Sequence, residues 1–91
     1  MILAFDTSCY TSSVALMAAD GTLLSDQRRV LAVPPKQRGL LQSEALFQHI
    51  HNVPDFLEIL AKTYDFREIK AIGCSVKPRP VDDSYMPVFL G

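Results

Sequence analysis

A carboxylate followed by a run of hydroxyl and thiol side chains stands near the start of the chain. Successive backbone amides in a turn form a concavity that accepts anions such as phosphate. A carboxylate beside such a concavity holds a magnesium ion, directly or through the water molecules of the ion. An ordinary hydroxyl-rich turn is the alternative interpretation. The predicted nucleotide or phosphate ligands are Asp6, Thr7, Ser8, Cys9, Thr11 and Ser12.

Two apolar runs flank this segment and predict the strands that must position it. Residues 2–5 are apolar without interruption, and a second apolar run covers residues 14–17. A continuous apolar run of this length is typical of a strand buried on both faces, as in the centre of an α/β sheet. The pattern of strand, tight turn and strand therefore places Asp6 where the first strand emerges from the sheet.

The order of residues around the turn resembles a known phosphate motif. The run Asp6-Thr7-Ser8-Cys9, followed by Ser13-Val14-Ala15-Leu16, is similar to the first phosphate motif of the actin-like ATPase superfamily. More narrowly, it resembles the opening of the universal glycoprotease family, the O-sialoglycoprotein endopeptidases of peptidase family M22. That family is associated with threonylcarbamoyl transfer to tRNA adenosine. The resemblance implies ATP and magnesium as cofactors of a full-length protein and tRNA as a partner.

Composition restricts the class of protein. The 91 residues, 48% of them hydrophobic, suffice for one small packed domain, and the net charge of −1 gives no electrostatic signal for nucleic acid. No apolar stretch approaches the roughly 20 residues that span a bilayer. Because no secretion signal precedes them, Cys9 and Cys74 indicate reduced thiols in a cytoplasmic protein. A disulfide between them is the alternative.

The chain after the second strand predicts a hairpin, an edge strand and a loop. Asp20-Gly21 is a strong hairpin signal, and the charged residues within 22–30 are typical of an edge strand. Two prolines exclude a helix or a central strand from residues 33–39. Within this loop, Lys36 and Arg38 are either contacts to a phosphate or partner, or plain surface charges.

A change of period then predicts a helix over residues 42–64. Apolar residues recur at steps of three and four, which places them on one helix face. Pro54 should kink this helix or restart it near Asn52. Phe47, Phe56 and Ile59 lie outside the stripe, so this broad apolar surface predicts a homo- or hetero-dimer contact. The stripe comprises Leu46, Ile50, Val53, Leu57, Leu60 and Tyr64.

The two histidines of the chain do not predict a metal site. His49 and His51 are two positions apart, and such residues point to different sides of a helix, whereas shared ligands need a spacing of three or four. The resembled family carries a metal-binding His-x-x-x-His motif. No segment of this sequence matches that motif.

The last predicted strand covers residues 69–76 and follows a short turn at residues 65–68 that has capping-box spacing. Its connection through the helix makes it parallel to the first strand. The predicted fold is therefore α/β, a mixed sheet with a crossover helix. The resemblance implies the order 3-2-1-4 and a ribonuclease H-like, actin-like ATPase lobe. Residues 82–84 are a further predicted cap, for a helix that begins near Tyr85.

The chain departs from the resembled family at two places. Where that family has a Gly-Pro-Gly turn, this sequence has Lys77-Pro78-Arg79-Pro80. Lys77 and Arg79 either contact a phosphate themselves, or the catalytic geometry of the family is absent. An acidic pair that follows the cysteine in the family is here Tyr10-Thr11, which removes carboxylates associated with metal binding. No catalytic residue is therefore assigned.

Two functional hypotheses follow from the resemblance. The first is a truncated N-terminal lobe, residues 1–91, of a divergent glycoprotease-like transferase that is inactive by itself because a cleft between two lobes needs both. The older description of the family as metallo-endopeptidases is not carried over. The second is a non-catalytic scaffold paralogue of the same complex. That paralogue also begins with Asp-Thr-Ser and Ser-Val-Ala-Leu, lacks the acidic pair, and would act through dimerisation of helix 42–64.

Overall fold

Four strands and one long helix form a two-layer α/β fold in the computed structural model, which describes residues 1–77 and 81–83. The strands pair in the order β3-β2-β1-β4. Strand β1 is antiparallel to β2 and parallel to β4, and β2 is antiparallel to β3. The predicted α/β class and strand order are confirmed. The elements are β1 (Ile2–Asp6), β2 (Thr11–Met17), β3 (Leu23–Val30), α1 (Gln42–Ala61), a 3₁₀ turn (Phe66–Glu68) and β4 (Ala71–Cys74).

The two faces of the sheet have different environments. Leu3 opposes Leu16 on the face that carries α1, and both are buried. Ala4 and Asp6 lie on the opposite face and are exposed. The prediction that the first strand is buried on both faces was therefore wrong. The strand lies between two neighbours, but α1 packs on only one side of it.

The packed face of helix α1 overlaps the predicted stripe but is shifted from it. Leu60 of the stripe is buried in the core, and Val53, Leu57 and Tyr64 pack against that core. Phe56 is 2% exposed and belongs to the core with Leu3, Val14, Leu16 and Leu60. Ile50, which was placed on the packed stripe, is 50% exposed. The centre of the packed face is shifted from the stripe because two polar side chains, His49 and Asn52, occupy part of that face. The buried residues of the helix are Ala45, His49, Asn52, Phe56 and Leu60.

Helix α1 is a single helix from Gln42 to Ala61, with Pro54 inside it. Pro54 is exposed, so water can reach the backbone carbonyl that loses its donor. Of the two predicted alternatives, a kink or a restart near Asn52, the restart was wrong, because α1 continues through Asn52. At the start of the helix, the N–H of Leu41 donates to the Glu44 carboxylate.

The turns and ends differ only in detail from the sequence predictions. Gly21 has a φ of +92°, a value that favours glycine, in the predicted Asp-Gly hairpin. Asp65 caps the 3₁₀ turn by accepting from the N–H of Arg67. Strand β4 is shorter than predicted, and the helix predicted near Tyr85 lies outside the described residues. Within the described ranges, no helix is long and apolar enough to cross a membrane.

Candidate functional site

Asp6 ends β1 and is held there by two donors. Its Oδ1 atom accepts from the N–H of Ser8 at 2.9 Å and from Oγ of Ser75 at 2.7 Å. Ser75 follows β4, and because β1 and β4 are parallel, their carboxyl ends lie at the same edge of the sheet. In open α/β sheets, ligands bind outside the carboxyl ends of the strands. This edge is therefore the candidate site.

The electrostatics of Asp6 favour the ionised carboxylate. Partial burial raises the pKa of Asp6, but the hydrogen bonds from Ser8 and Ser75 together outweigh burial and hold this pKa below its ordinary value. Asp6 is exposed, so a hydrated cation can approach it. Magnesium is commonly held by one or two carboxylates together with waters and substrate phosphates, and Asp6 fits that role. No group of three or more His, Cys, Asp or Glu side chains suited to a metal occurs within residues 1–77 and 81–83.

The turn after Asp6 has a defined and unusual conformation. Cys9 has a φ of +52°, in the left-handed region that residues with a side chain rarely adopt. Its carbonyl oxygen lies 3.1 Å from Nε2 of the His49 ring. Thr7 is buried, whereas Ser8 and Thr11 are half-buried and Cys9 is exposed. The backbone of this turn is therefore fixed from the interior.

Ser12 does not present its hydroxyl to the candidate site. The residue is fully buried on the helix side of β2, and its Oγ atom lies 2.7 Å from Nδ1 of His49. Among the six predicted ligands, Ser12 and Thr7 are buried, and Ser12 is the more deeply buried of the two, at 0% exposure against 4%. Burial also excludes the Ser12 and His49 pair as an exposed nucleophile and base, so the pair is structural.

A buried polar network extends from Ser12 across the helix to β3. Asn52 donates through Nδ2 to Ser12 Oγ at 3.1 Å, and Arg29 donates to Asn52 Oδ1 at 2.8 Å. The same Arg29 donates to Asp55 at 3.1 Å, and its guanidinium carbon lies 5.1 Å from the centre of the Phe56 ring. Arg29 lies on the edge strand β3 with an exposed side chain, as an edge residue should, and in addition it links β3 to α1.

The sequence contained a signal for this network. His49 and Asn52 are three positions apart and in phase with Phe56, so they share one face of α1. Ser12 and Arg29 are directly paired across β2 and β3, and therefore lie on the same face of the sheet. A search for apolar residues at helical spacing does not find the packed face of α1, because it treats polar residues such as His49 and Asn52 as exposed.

The remaining predicted contacts have different positions. Lys77 follows Ser75 by two residues and is half-buried, while Arg79 lies outside the described residues. Lys36 and Arg38 are exposed in the loop before α1. Cys9 and Cys74 are both exposed and are not joined in a disulfide, so the disulfide alternative does not apply.

The outer side of α1 carries exposed apolar side chains. Phe47 and Ile50 are 62% and 50% exposed, and Leu41, which precedes the helix, is 69% exposed. Phe47 also borders an open groove of about 490 Å³ between α1 and the loop that precedes it. The groove is lined by Pro34, Leu40, Ser43, Glu44, Phe47 and Gln48. Phe47 and Ile59 lie outside the packed face as predicted, whereas Phe56 does not.

Comparison with known proteins adds no relative to this description. No family model matches the chain, and no curated protein matches it at a significant level. Function is therefore argued from the geometry of the β1 and β4 edge and from the resemblance of the segment around Asp6.

Proposed function

We propose that the chain supplies the phosphate and magnesium edge of a nucleotide-binding lobe in a glycoprotease-like protein. The observation that supports this proposal is the bond from Ser75 to Asp6, which joins the carboxyl ends of two parallel strands. The strand order and the position of Asp6 agree with a ribonuclease H-like, actin-like ATPase lobe. A relation to ATP-dependent tRNA threonylcarbamoyl transferases follows from the resemblance, with tRNA as the implied partner.

The residues of the chain have separate tasks in this proposal. Ser8 and Ser75 orient the Asp6 carboxylate and keep it ionised, so that it can accept from water molecules of a magnesium ion. The ion, when bound, supplies charge that offsets the phosphates. Amides of the turn face the phosphate oxygens, and Lys77 adds a cation near the same edge. The chain alone does not catalyse transfer, because one lobe does not form a closed cleft.

Calorimetric titration of magnesium with ATP tests this proposal. Asp6→Asn should weaken binding by about tenfold or more, since a charged hydrogen-bonding partner contributes on the order of 1.5–3 kcal/mol. Asp20→Asn is the matched control. Like Asp6, the Asp20 carboxylate accepts from a backbone N–H two residues later, that of Thr22. Asp20 lies at the opposite end of the sheet, because it follows the end of β2 that pairs with the start of β1. Absence of binding by the folded protein, or equal binding by Asp6→Asn, would contradict the proposal.

The second candidate is a non-catalytic scaffold that acts as a homo- or hetero-dimer. The exposure of Phe47 and Ile50, three positions apart on the outer side of α1, favours it, because adjacent exposed apolar side chains are typical of protein contacts. The sequence also lacks the acidic pair after the cysteine. In this reading the edge around Asp6 is retained as a fold feature without nucleotide turnover.

Sedimentation of a Phe47→Asp variant tests the scaffold hypothesis. The expected result is conversion of an oligomer to a monomer with unchanged helix content, because Phe47 is outside the core. Leu23→Asp is a matched control, since Leu23 is 59% exposed and lies in β3, away from α1. Unchanged sedimentation of Phe47→Asp, or a wild-type protein that is already monomeric, would count against dimerisation through this surface.

A further inference from the structure

The hydrogen bond between His49 and the Cys9 carbonyl has a determined direction. A carbonyl oxygen only accepts, so the contact between Nε2 of His49 and the Cys9 carbonyl requires the hydrogen on Nε2. In the neutral ring Nδ1 is then an acceptor, and the Ser12 hydroxyl must donate to it. Ser12 in turn accepts from Asn52. Each donor in this series therefore has a distinct acceptor, and no buried side-chain nitrogen or oxygen within the described residues lacks a partner.

This arrangement also orients the peptide group after Cys9. The described peptide bonds are all trans, and in a trans peptide the C=O and the following N–H point in opposite directions. Because His49 holds the Cys9 carbonyl toward the interior, the N–H of Tyr10 points away from the interior. Cys9 has a positive φ, which L residues rarely adopt without support from the surrounding structure. The His49 ring supplies that support.

We propose that His49 is a positioning residue for the anion site, although it contacts no ligand itself. By holding the Cys9 carbonyl inward, it presents the Tyr10 N–H as a donor to a phosphate bound beside Asp6. This inference rests on the proposed function, because the phosphate that the Tyr10 N–H would bind is the ligand assigned there. The orientation of the turn by His49 is a separate property of the protein and can be measured without any ligand.

Nuclear magnetic resonance of the wild-type protein provides the first test. Long-range ¹H–¹⁵N correlation should show the Nε2–H tautomer of His49, and the Tyr10 amide should shift when inorganic phosphate or magnesium with ATP is added. An Nδ1–H tautomer would overturn the orientation. A silent Tyr10 amide, while amides of Ser8 and Cys9 respond, would overturn its role as a donor. No response of any amide would overturn the proposed function and leave the tautomer result to decide the orientation.

Two substitutions provide the second test, with magnesium and ATP as the probe. His49→Leu should weaken binding by about tenfold, as expected for a donor that is no longer oriented, and His49→Gln should restore most of it because its amide both donates and accepts. Leu60→Ala is the stability control, since it removes a core side chain that takes no part in the hydrogen bonds of the network. Equal affinity in His49→Leu and the wild type overturns the proposal, as does equal weakening in His49→Leu and Leu60→Ala. If His49→Leu does not fold, hydrogen exchange of the Cys9 and Tyr10 amides in His49→Gln takes the place of the binding measurement. We expect these amides to be protected as in the wild type. A loss of protection that is confined to this turn would overturn the proposal.

Discussion

The Oγ atom of Ser12 lies 2.7 Å from Nδ1 of His49, a residue 37 positions further along the chain. This bond joins the middle of the sheet to the packed face of α1 in a fully buried position. Asn52 and the Cys9 carbonyl extend it at either end. The helix is therefore fixed on the sheet by directed polar contacts as well as by apolar burial.

Removal of the Ser12 hydroxyl should destabilise the fold more than the loss of one small side-chain group normally does. Ser12→Ala leaves the Nδ1 atom of His49 and an amide hydrogen of Asn52 without a buried partner. The expected loss in the free energy of unfolding is about 1–3 kcal/mol. Urea denaturation followed by circular dichroism measures it.

Ser13→Ala is the matched control for that experiment. Ser13 lies on the other face of β2, and its hydroxyl makes only a long bond of 3.4 Å to the Asp6 carbonyl. Its substitution should change the free energy of unfolding by less than about 0.5 kcal/mol. Equal losses for the two serines would contradict the structural role of the buried network.

Arg29 and Arg28 should differ although they are adjacent. Arg29 bonds Asn52 and lies against the Phe56 ring, so Arg29→Ala removes packing and leaves the Asn52 oxygen unpaired. We expect a loss of about 1–2 kcal/mol. Arg28 pairs only with Asp26 in an exposed position, and Arg28→Ala should cost under about 0.5 kcal/mol. Thermal unfolding of both variants decides whether Arg29 is a structural residue or a surface charge.

Substitution of Phe56 should prevent folding, whereas substitution of Phe47 should affect association but not folding. Phe56 is 2% exposed, and Phe56→Asp should abolish folding, since even Phe→Ala in a core costs about 3–5 kcal/mol. Phe47→Asp should fold with wild-type helix content, because Phe47 is 62% exposed. Far-ultraviolet circular dichroism distinguishes the two. A folded Phe56→Asp protein would show that the packed face of α1 is wrongly assigned.

The pKa of Asp6 predicts a pH dependence of stability with a definite sign. Because this pKa is below its ordinary value, the Asp6 carboxylate stabilises the fold fully above the unfolded-state pKa of about 3.9. That contribution is lost as the pH falls through the folded-state pKa. Ser75→Ala removes one donor and should raise the pKa of Asp6, measured by carboxyl ¹³C titration. Ser13→Ala, which affects only the Asp6 backbone carbonyl, should leave the titration unchanged.

Local patterns were sufficient to predict the elements along the chain, whereas the sheet order β3-β2-β1-β4 was implied by the resemblance of the segment around Asp6. The apolar run that ends at Asp6, the Asp20-Gly21 hairpin and the three- and four-residue steps of the helix each depend on neighbouring residues in the chain. The parallel pairing of β4 with β1 followed from the length of the connection between them. The position of Asp6 at the end of β1 could be predicted from the sequence because it depends on the same local apolar run.

Only the tertiary structure decided what each element packs against. The sequence could not show that Ser75 reaches Asp6, because these residues are 69 positions apart and no local period relates them. Nor could it show that His49 and Asn52 occupy the packed face, because their burial depends on partners supplied by β2 and β3. Phe56 and Phe47 have the same side chain and the same helix propensity. Which of them is buried was settled by the orientation that the Ser12 to His49 bond and the surrounding core impose on α1.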